Sequence, residues 1–204
     1  MKINEYNCAV KHFLANDVLI YKLLSKFGPI ELKKKRHYFL NLTSSIIGQQ
    51  LSVQSARAIN NKFKAHFNDI ITAERIAKCK FETLRSLGLS NAKAKYVKNL
   101  ADKVLSKELK IDRISSKTND EIMEELTKVK GIGPWTVHMF LMFVLGRKNI
   151  LAVGDLGIKK AIMLTYNLKN LPTGEEVLKT SEKNNWAPYN SYVCMILWNS
   201  IDGN

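Results

Sequence analysis

The segment Lys130-Gly-Ile-Gly-Pro-Trp-Thr136 contains the glycines and the lysine that a phosphate site requires. The later residue Asp155 has a carboxylate that can be reactive. A glycine hairpin between two helices can hold a DNA phosphate through backbone N–H groups, because no Cβ atom blocks the approach. Asp155 follows Trp135 by twenty residues, at the predicted start of the next helix. A carboxylate there can act on what the hairpin holds. The combination therefore predicts an enzyme that acts on DNA.

The predicted hairpin, residues 126–139, is suited to binding an anion. Gly131 and Gly133 allow backbone angles that other residues disfavour. Pro134 suits the first turn of the following helix, whose remaining N–H groups and dipole attract negative charge. Lys130 adds positive charge nearby. The alternative is an ordinary tight turn between two helices, and a backbone contact of this kind carries no sequence information in any case.

Helical periodicity dominates the rest of the chain and predicts an all-α fold. Apolar residues recur at helical spacing within Ser52–Phe67, beginning at Val53, and again within Asn91–Val104. Strand signals are scarce, and no low-complexity linker divides the chain. We expect one folded unit over 1–204 with two lobes. Lobe A comprises about 1–40 plus 141–204, and lobe B comprises about 41–140, with the hairpin in lobe B.

Local signals mark several helix ends. In a capping box, a hydroxyl and a carboxylate three residues apart each satisfy a backbone N–H at the start of a helix. Glycine after an apolar helical run suits the left-handed position beyond a helix end. The capping pattern occurs at Thr118-x-x-Glu121 and Thr173-x-x-Glu176, and the glycines are Gly88 and Gly146.

Charge and cysteine content narrow the class of partner. The 204 residues include 32 Lys and Arg against 18 Asp and Glu, a formal charge of +14. That excess favours a polyanion, with nucleic acid ahead of an anionic membrane, although a basic solubilising surface is the alternative. Three scattered cysteines, without C-x-x-C spacing, give no support for a zinc or iron–sulfur site.

The N-terminal sequence lacks the apolar run of a signal peptide, and the most apolar stretch, Val137–Leu145, is too short to cross a bilayer. A basic amphipathic helix with an interfacial aromatic face, as a peripheral membrane protein would need, is also lacking. We therefore expect an intracellular monomer with no membrane partner. It would be located in the cytoplasm or nucleoid, or in the nucleus of a eukaryote.

Five motifs follow one another along the chain: Ile46-Ile-Gly-Gln-Gln-Leu-Ser52, Gly88-Leu-Ser-x-x-Lys-Ala94, Lys130-Gly-Ile-Gly-Pro-Trp-Thr136, Gly154-Asp155 and Trp186-Ala-Pro-Tyr-x-Ser-Tyr192 with Trp198. In this order they resemble the motifs of the helix-hairpin-helix DNA glycosylases, in particular the 3-methyladenine DNA glycosylase II (alkylpurine) branch. The resemblance covers most of the chain and implies the two-lobed helical glycosylase fold with an active-site cleft between the lobes. It also implies hydrolysis of the N-glycosidic bond of a damaged base flipped out of duplex DNA.

Asp155 is the catalytic residue that the resemblance implies. Breaking a glycosidic bond builds positive charge on the sugar, which a carboxylate stabilises while it orients the attacking water. An alkylated purine already carries positive charge, so one acid suffices. The alternative is that Asp155 only caps the helix that follows. Bifunctional relatives have a lysine nucleophile after the proline, where this chain has Trp135, which favours a monofunctional enzyme that leaves an abasic site.

The resemblance also implies a substrate pocket and DNA contacts. Trp135 and Trp198 are expected to stack on the cationic base, with core packing as the alternative role, and Met139 stands where relatives can carry an aromatic residue. Either Gln50 or Leu51 would fill the gap left by the flipped base, unless Leu51 is core. A monovalent cation at the hairpin carbonyls is possible, and no cofactor is required. The expected DNA contacts are Gln49, Gln50, Leu51, Ser52, Lys130, Gly131, Gly133 and Thr136.

Two rival functions are consistent with parts of this pattern. One is a glycosylase for another lesion, such as a deaminated, etheno or oxidised base. The other is a non-catalytic helix-hairpin-helix module that only binds DNA, which would need neither Asp155 nor the tryptophans.

Overall fold

The structure is a computed structural model that describes residues 5–202. These residues form α-helices and one 3-10 helix, Ile111–Ser116, with no strand among them. The α-helices are α1 Glu5–Asn16, α2 Val18–Phe27, α3 Tyr38–Gly48, α4 Val53–His66, α5 Ala73–Lys78, α6 Phe81–Ser86, α7 Asn91–Leu105, α8 Asn119–Thr127, α9 Pro134–Phe143, α10 Leu156–Thr165, α11 Gly174–Lys183 and α12 Asn190–Asp202. None of them is both long and apolar enough to cross a membrane.

The chain divides into two compact units. One contains the chain up to Lys34 and the chain from Leu141 onward, and the other is Lys35–Phe140. The first unit packs α12 against α2 and α10, and α1 against α2. Its core includes Trp186, whose buried Nε1 donates to Asp17 Oδ2 over 2.8 Å. Trp186 is therefore a structural residue of this core.

The second unit is organised around α7, which contacts α3, α5 and α6. The inward face of α7 carries Ala94, Val97 and Leu100, all fully buried. Helix α7 begins after Ser90, whose hydroxyl accepts from Lys93 N over 3.2 Å, so a serine cap fixes its first turn. The prediction of a helix over Asn91–Val104 is confirmed.

The local signals at helix ends agree with the structure. The capping boxes at Thr118–Glu121 and Thr173–Glu176 are both formed, with each side chain bonded to the other residue's backbone N–H. Gly88 and Gly146 have φ values of 103° and 64°, in the left-handed region predicted for them. Residues close together in sequence therefore mark where these helices start and stop.

The structure contradicts the expected burial of Val53. Val53 was assigned to the apolar face of the helix within Ser52–Phe67, but its side chain is 87% exposed. The helix itself, α4, is present and is capped by Ser52, and Phe63 and Phe67 are buried as expected. Val53 is exposed because it occupies the first turn of α4, where the helix emerges from the loop that follows α3.

Candidate active site and nucleic-acid interface

The hairpin between α8 and α9 is held in place by two buried side chains. Val129 and Ile132 are 2% and 3% exposed, and Ile132 N donates to Val129 O over 3.0 Å. Between them Gly131 has φ 91°, and a Cβ atom there would lie 2.2 Å from the Tyr96 ring. The fold therefore needs glycine at position 131 for its backbone angle and for the close approach of Tyr96.

Gly133 differs from Gly131. Its φ is not among the positive values, so the expected need for an unusual backbone angle is wrong at this position. A Cβ added at Gly133 would have no heavy atom of the described residues within 4 Å beyond its chain neighbours. The protein itself therefore does not require this glycine, which leaves open backbone at the point where helix α9 starts.

Gln49 connects the hairpin to the loop after α3. Its Nε2 donates to Gly131 O over 2.8 Å and to Thr136 Oγ1 over 3.2 Å. The Thr136 side chain is buried, so it contacts Gln49 inside the protein. The structure thus brings together three residues that were expected to contact DNA, although the side chains of two of them face the protein.

Residues 50–52 form an exposed loop before α4. Gln50 is exposed with φ 54°, and Leu51 is 38% exposed, which excludes a core role for Leu51. Ser52 Oγ accepts from Ser55 N over 3.2 Å as the cap of α4. The loop is therefore anchored at Ser52 and presents one polar and one apolar side chain before the anchor.

The exposed face of the hairpin borders an open cavity of about 810 Å³. Lys130 is exposed there, with its backbone N–H donated to Asn99 Oδ1 over 3.0 Å, while Lys128 pairs with Glu124 at 2.7 Å. The cavity is basic and partly aromatic. Its lining includes Gln49, Gln50, Lys93, Lys130, Gly133 and Trp135.

Trp135 is the second residue of α9 and is 49% exposed. Core packing, the alternative role for this tryptophan, does not describe a side chain with half its surface accessible. Met139, one turn later on α9, is half-buried. About half of the indole surface is accessible from solvent, as stacking on a planar ligand requires.

Asp155 stands at the start of α10 and is half-buried. Its Oδ1 accepts from Ile158 N over 2.8 Å, which is the capping bond, and from Trp198 Nε1 over 2.9 Å. A Cβ at Gly157 would lie 3.1 Å from both Asp155 Oδ1 and Trp198 Cδ1, so glycine permits this close arrangement. The carboxylate is thus fixed in orientation by a backbone and a side-chain donor.

Trp198 therefore has a role that the sequence did not indicate. Its indole N–H bonds Asp155, and its ring stacks on Phe143 with centroids 6.0 Å apart. The two bonded residues are 43 positions apart, and no local spacing reveals such a pair. Only the packing of α12 against α10 brings the indole to the carboxylate.

Cys194 is the buried neighbour of this site. Its side chain is fully buried, and burial raises the pKa of its thiol to about 12, with the negative charge of Asp155 acting in the same direction. The thiol therefore stays protonated at neutral pH. It contributes an apolar surface near the carboxylate, and its Sγ lies 3.6 Å from Ile150 O. In the apolar run Ile150–Val153, Ile150 and Ala152 are buried.

Two observations concern metal ions. Within residues 5–202, no three His, Cys, Asp or Glu side chains are placed to share a metal ion. Among the hairpin carbonyls, Val129 O and Gly131 O each accept a hydrogen bond from the protein. A monovalent cation at the hairpin stays a prediction from the resemblance.

The helical fold, the glycine hairpin and the Asp155 carboxylate indicate a helix-hairpin-helix enzyme that acts on DNA, and the comparison with known families agrees. The model of the HhH-GPD superfamily of base excision DNA repair proteins matches residues 43–186, and the chain belongs to this superfamily. The match includes the loop after α3, the hairpin and Asp155.

Particular relatives narrow the class. The chain is 32% identical over 182 residues to DNA-3-methyladenine glycosylase 1 of Schizosaccharomyces pombe, covering 88% of this chain and 79% of the relative. It is also similar to the solved 3-methyladenine DNA glycosylase of Schizosaccharomyces pombe in complex with abasic DNA. That match has a TM-score of 0.84 and 30% identity, and covers 96% of this chain and 97% of the other. DNA-3-methyladenine glycosidase from Bacillus halodurans matches with a TM-score of 0.81 and 32% identity, over 94% and 88% of the two chains.

Proposed function

We propose that this protein is a monofunctional DNA glycosylase that hydrolyses the N-glycosidic bond of alkylated purines in duplex DNA and leaves an abasic site. The observation that carries the proposal is the Asp155 carboxylate, fixed by Ile158 N and Trp198 Nε1, in a chain of the base excision repair superfamily. The similar proteins named 3-methyladenine glycosylases support the choice of substrate.

Asp155 performs the chemistry in this proposal. As the glycosidic bond breaks, its electron pair leaves with the base, and the sugar acquires oxocarbenium character that a nearby carboxylate stabilises. Water adds to the sugar, and its proton passes to Asp155. A cationic alkylpurine leaves as a neutral base and needs no separate acid. Water is the only other reactant, so the proposal includes no cofactor.

Trp135 supports both the substrate class and the absence of strand cleavage. Its half-exposed indole can attract a cationic purine by stacking and cation–π contact, worth roughly 0.5–2 kcal/mol. It also occupies the position after Pro134 where a lyase would need an amine nucleophile. We infer that part of the selectivity comes from the weakened bond of the lesion, since this stacking energy is modest.

DNA binding is assigned to the hairpin and to the loop after α3. The open backbone at Gly133, the first-turn N–H groups of α9 and the exposed Lys130 are suited to a phosphate. Gln50 and Leu51 are exposed and can fill the gap left by a flipped base, which otherwise costs a few kcal/mol of lost stacking. Gln49, Ser52 and Thr136 shape this surface through contacts within the protein.

The test is Asp155→Asn. Asparagine caps helices as well as aspartate does, and its amide oxygen can accept the same two hydrogen bonds. We therefore expect an unchanged melting temperature and a loss of base release of about a hundredfold or more, as when one electrostatic group is removed from a site. Release of 3-methyladenine and 7-methylguanine from alkylated duplex is measured, together with strand nicking before any alkaline treatment.

The control is Asp102→Asn, which removes the same charge from an exposed position on α7. It should keep full activity. Normal base release by a folded Asp155→Asn protein would remove the proposed catalyst, and nicking by the wild-type enzyme would contradict monofunctional chemistry. Preferential release of hypoxanthine or etheno-adenine from a panel of single-lesion duplexes would assign the site to another lesion.

A further inference from the structure

Lys93 is half-buried and holds the end of helix α3. Its Nζ donates to Ile47 O over 2.9 Å and to Gln49 O over 2.6 Å. Carbonyl groups at the end of a helix have no N–H partner within the helix, so an amine at this point satisfies groups that would otherwise lack one. Burial lowers the pKa of the Lys93 amine. The half-buried side chain therefore bonds backbone groups of the protein at the end of another helix.

Gln49 extends this connection to the hairpin. Its backbone oxygen accepts from Lys93, while its side chain donates to Gly131 O and Thr136 Oγ1. The loop Gln49–Ser52 is thus bonded to α7 on one side and to the hairpin on the other. These contacts join segments that lie 44 to 87 residues apart in sequence.

The same face of α7 also holds the hairpin directly. Tyr96 packs against Gly131 so closely that a Cβ there would lie 2.2 Å from its ring, and Asn99 Oδ1 accepts from Lys130 N over 3.0 Å. Lys93, Tyr96 and Asn99 are spaced three residues apart, which places them along one face of the helix. One helix face therefore contacts both of the segments to which DNA binding is assigned.

We propose that this face of α7 fixes the loop Gln49–Ser52 in register with the hairpin, and that Lys93 is a positioning residue for base flipping. The inference rests on the proposed function. A hairpin that holds a phosphate defines where the DNA backbone lies. The side chain of Gln50 or Leu51 that fills the gap must enter the base stack at a set distance from that backbone. A loop that moves relative to the hairpin would still permit DNA binding but would not keep the base flipped out.

The kinetic test is Lys93→Met, which keeps the length of the side chain and removes its donors. Single-turnover base release is measured on two duplexes, with the same alkylated purine opposite its normal partner or opposite an abasic site. An unpaired base costs less to flip. We expect the variant to slow release from the paired duplex about tenfold more than from the duplex with the opposite abasic site. The side chain that fills the gap matters most where flipping the base costs most free energy.

Two variants of the same helix serve as controls. Lys95→Met removes an equal charge from an exposed position, and Lys98→Met removes another lysine-to-carbonyl bond, from Lys98 Nζ to Ala77 O at 2.8 Å. Neither should change the ratio of rates on the two duplexes. Equal slowing of Lys93→Met on both duplexes would overturn the positioning role, as would an equal change of ratio in the control variants.

Amide hydrogen exchange of the full chain without DNA tests the same coupling independently of activity. In Lys93→Met, exchange should accelerate in peptides covering residues 49–52 and 130–133. In the two control variants, exchange of these peptides should not change. Acceleration spread through the whole chain, or none in these peptides, would overturn the inference. If the wild-type protein released no alkylated base, the proposed function would fail, while the exchange result would still decide whether α7 couples the two segments.

Discussion

The indole of Trp198 has one polar atom, its Nε1–H, and that atom is bonded to Asp155 Oδ1. One side of its ring stacks on Phe143. Both interactions favour a role for Trp198 in orienting the carboxylate, whereas the resemblance implies a stacking surface for the base. Trp186 makes a bond of the same kind, from its Nε1 to Asp17, in the fully buried core. The two tryptophans therefore allow an orienting bond to be compared with a structural one.

Trp198→Phe should lower kcat about tenfold with little change in KM, since a hydrogen bond to a charged group contributes roughly 1.5–3 kcal/mol. Trp186→Phe loses a similar bond from the core. It should lower the melting temperature and leave the kcat of the folded enzyme unchanged. Kinetics on alkylated duplex and thermal unfolding of both variants provide the comparison. An unchanged kcat with a raised KM for Trp198→Phe would instead indicate a stacking role.

At the scale of elements, the fold requires one of the two hairpin glycines and does not require the other. Gly131 is required by its φ of 91° and by Tyr96, whereas a Cβ at Gly133 would be in open space. A glycine that the packing of the protein does not require is explained by a ligand that contacts its backbone from solvent. This is the expected pattern where a phosphate contacts the backbone at the start of a helix.

Gly131→Ala should therefore destabilise the protein by about 1–2 kcal/mol from the left-handed angle alone, with a further cost for displacing Tyr96. Gly133→Ala should keep the melting temperature within error and weaken binding to undamaged duplex. Thermal unfolding and a DNA titration of each variant measure these effects. If Gly133→Ala bound DNA as tightly as wild type, the phosphate would not approach at this position.

These elements also show what the sequence can predict. Capping boxes, glycines after helix ends and the α7 periodicity depend on residues a few positions apart, and they were predicted correctly. The exposure of Val53 and the partners of Lys93 and Trp198 were not predicted, because they depend on which helices pack together. Hydrophobic pattern alone does not distinguish a lysine in solvent from one that caps a distant helix.

At the scale of the whole molecule, the formal charge of +14 creates a long-range attraction for DNA in addition to specific contacts. A duplex carries about one negative charge per 1.7 Å of its axis, and binding releases counterions, so affinity falls as salt rises. The alternative, that the charge serves only solubility, predicts no dependence on individual lysines. Lys130, exposed on the hairpin, and Lys179, paired with Glu175 on α11, distinguish the two cases.

Lys130→Gln and Lys179→Gln lower the net charge equally, yet only the first should change how binding depends on salt. Removal of one phosphate contact reduces the magnitude of the slope of log K against log salt concentration by about one. We expect that change for Lys130→Gln on damaged and undamaged duplex alike, because a phosphate contact does not depend on the base. Titrations at several salt concentrations measure it. Equal slopes for both variants would mean that the charge acts diffusely and that Lys130 makes no phosphate contact.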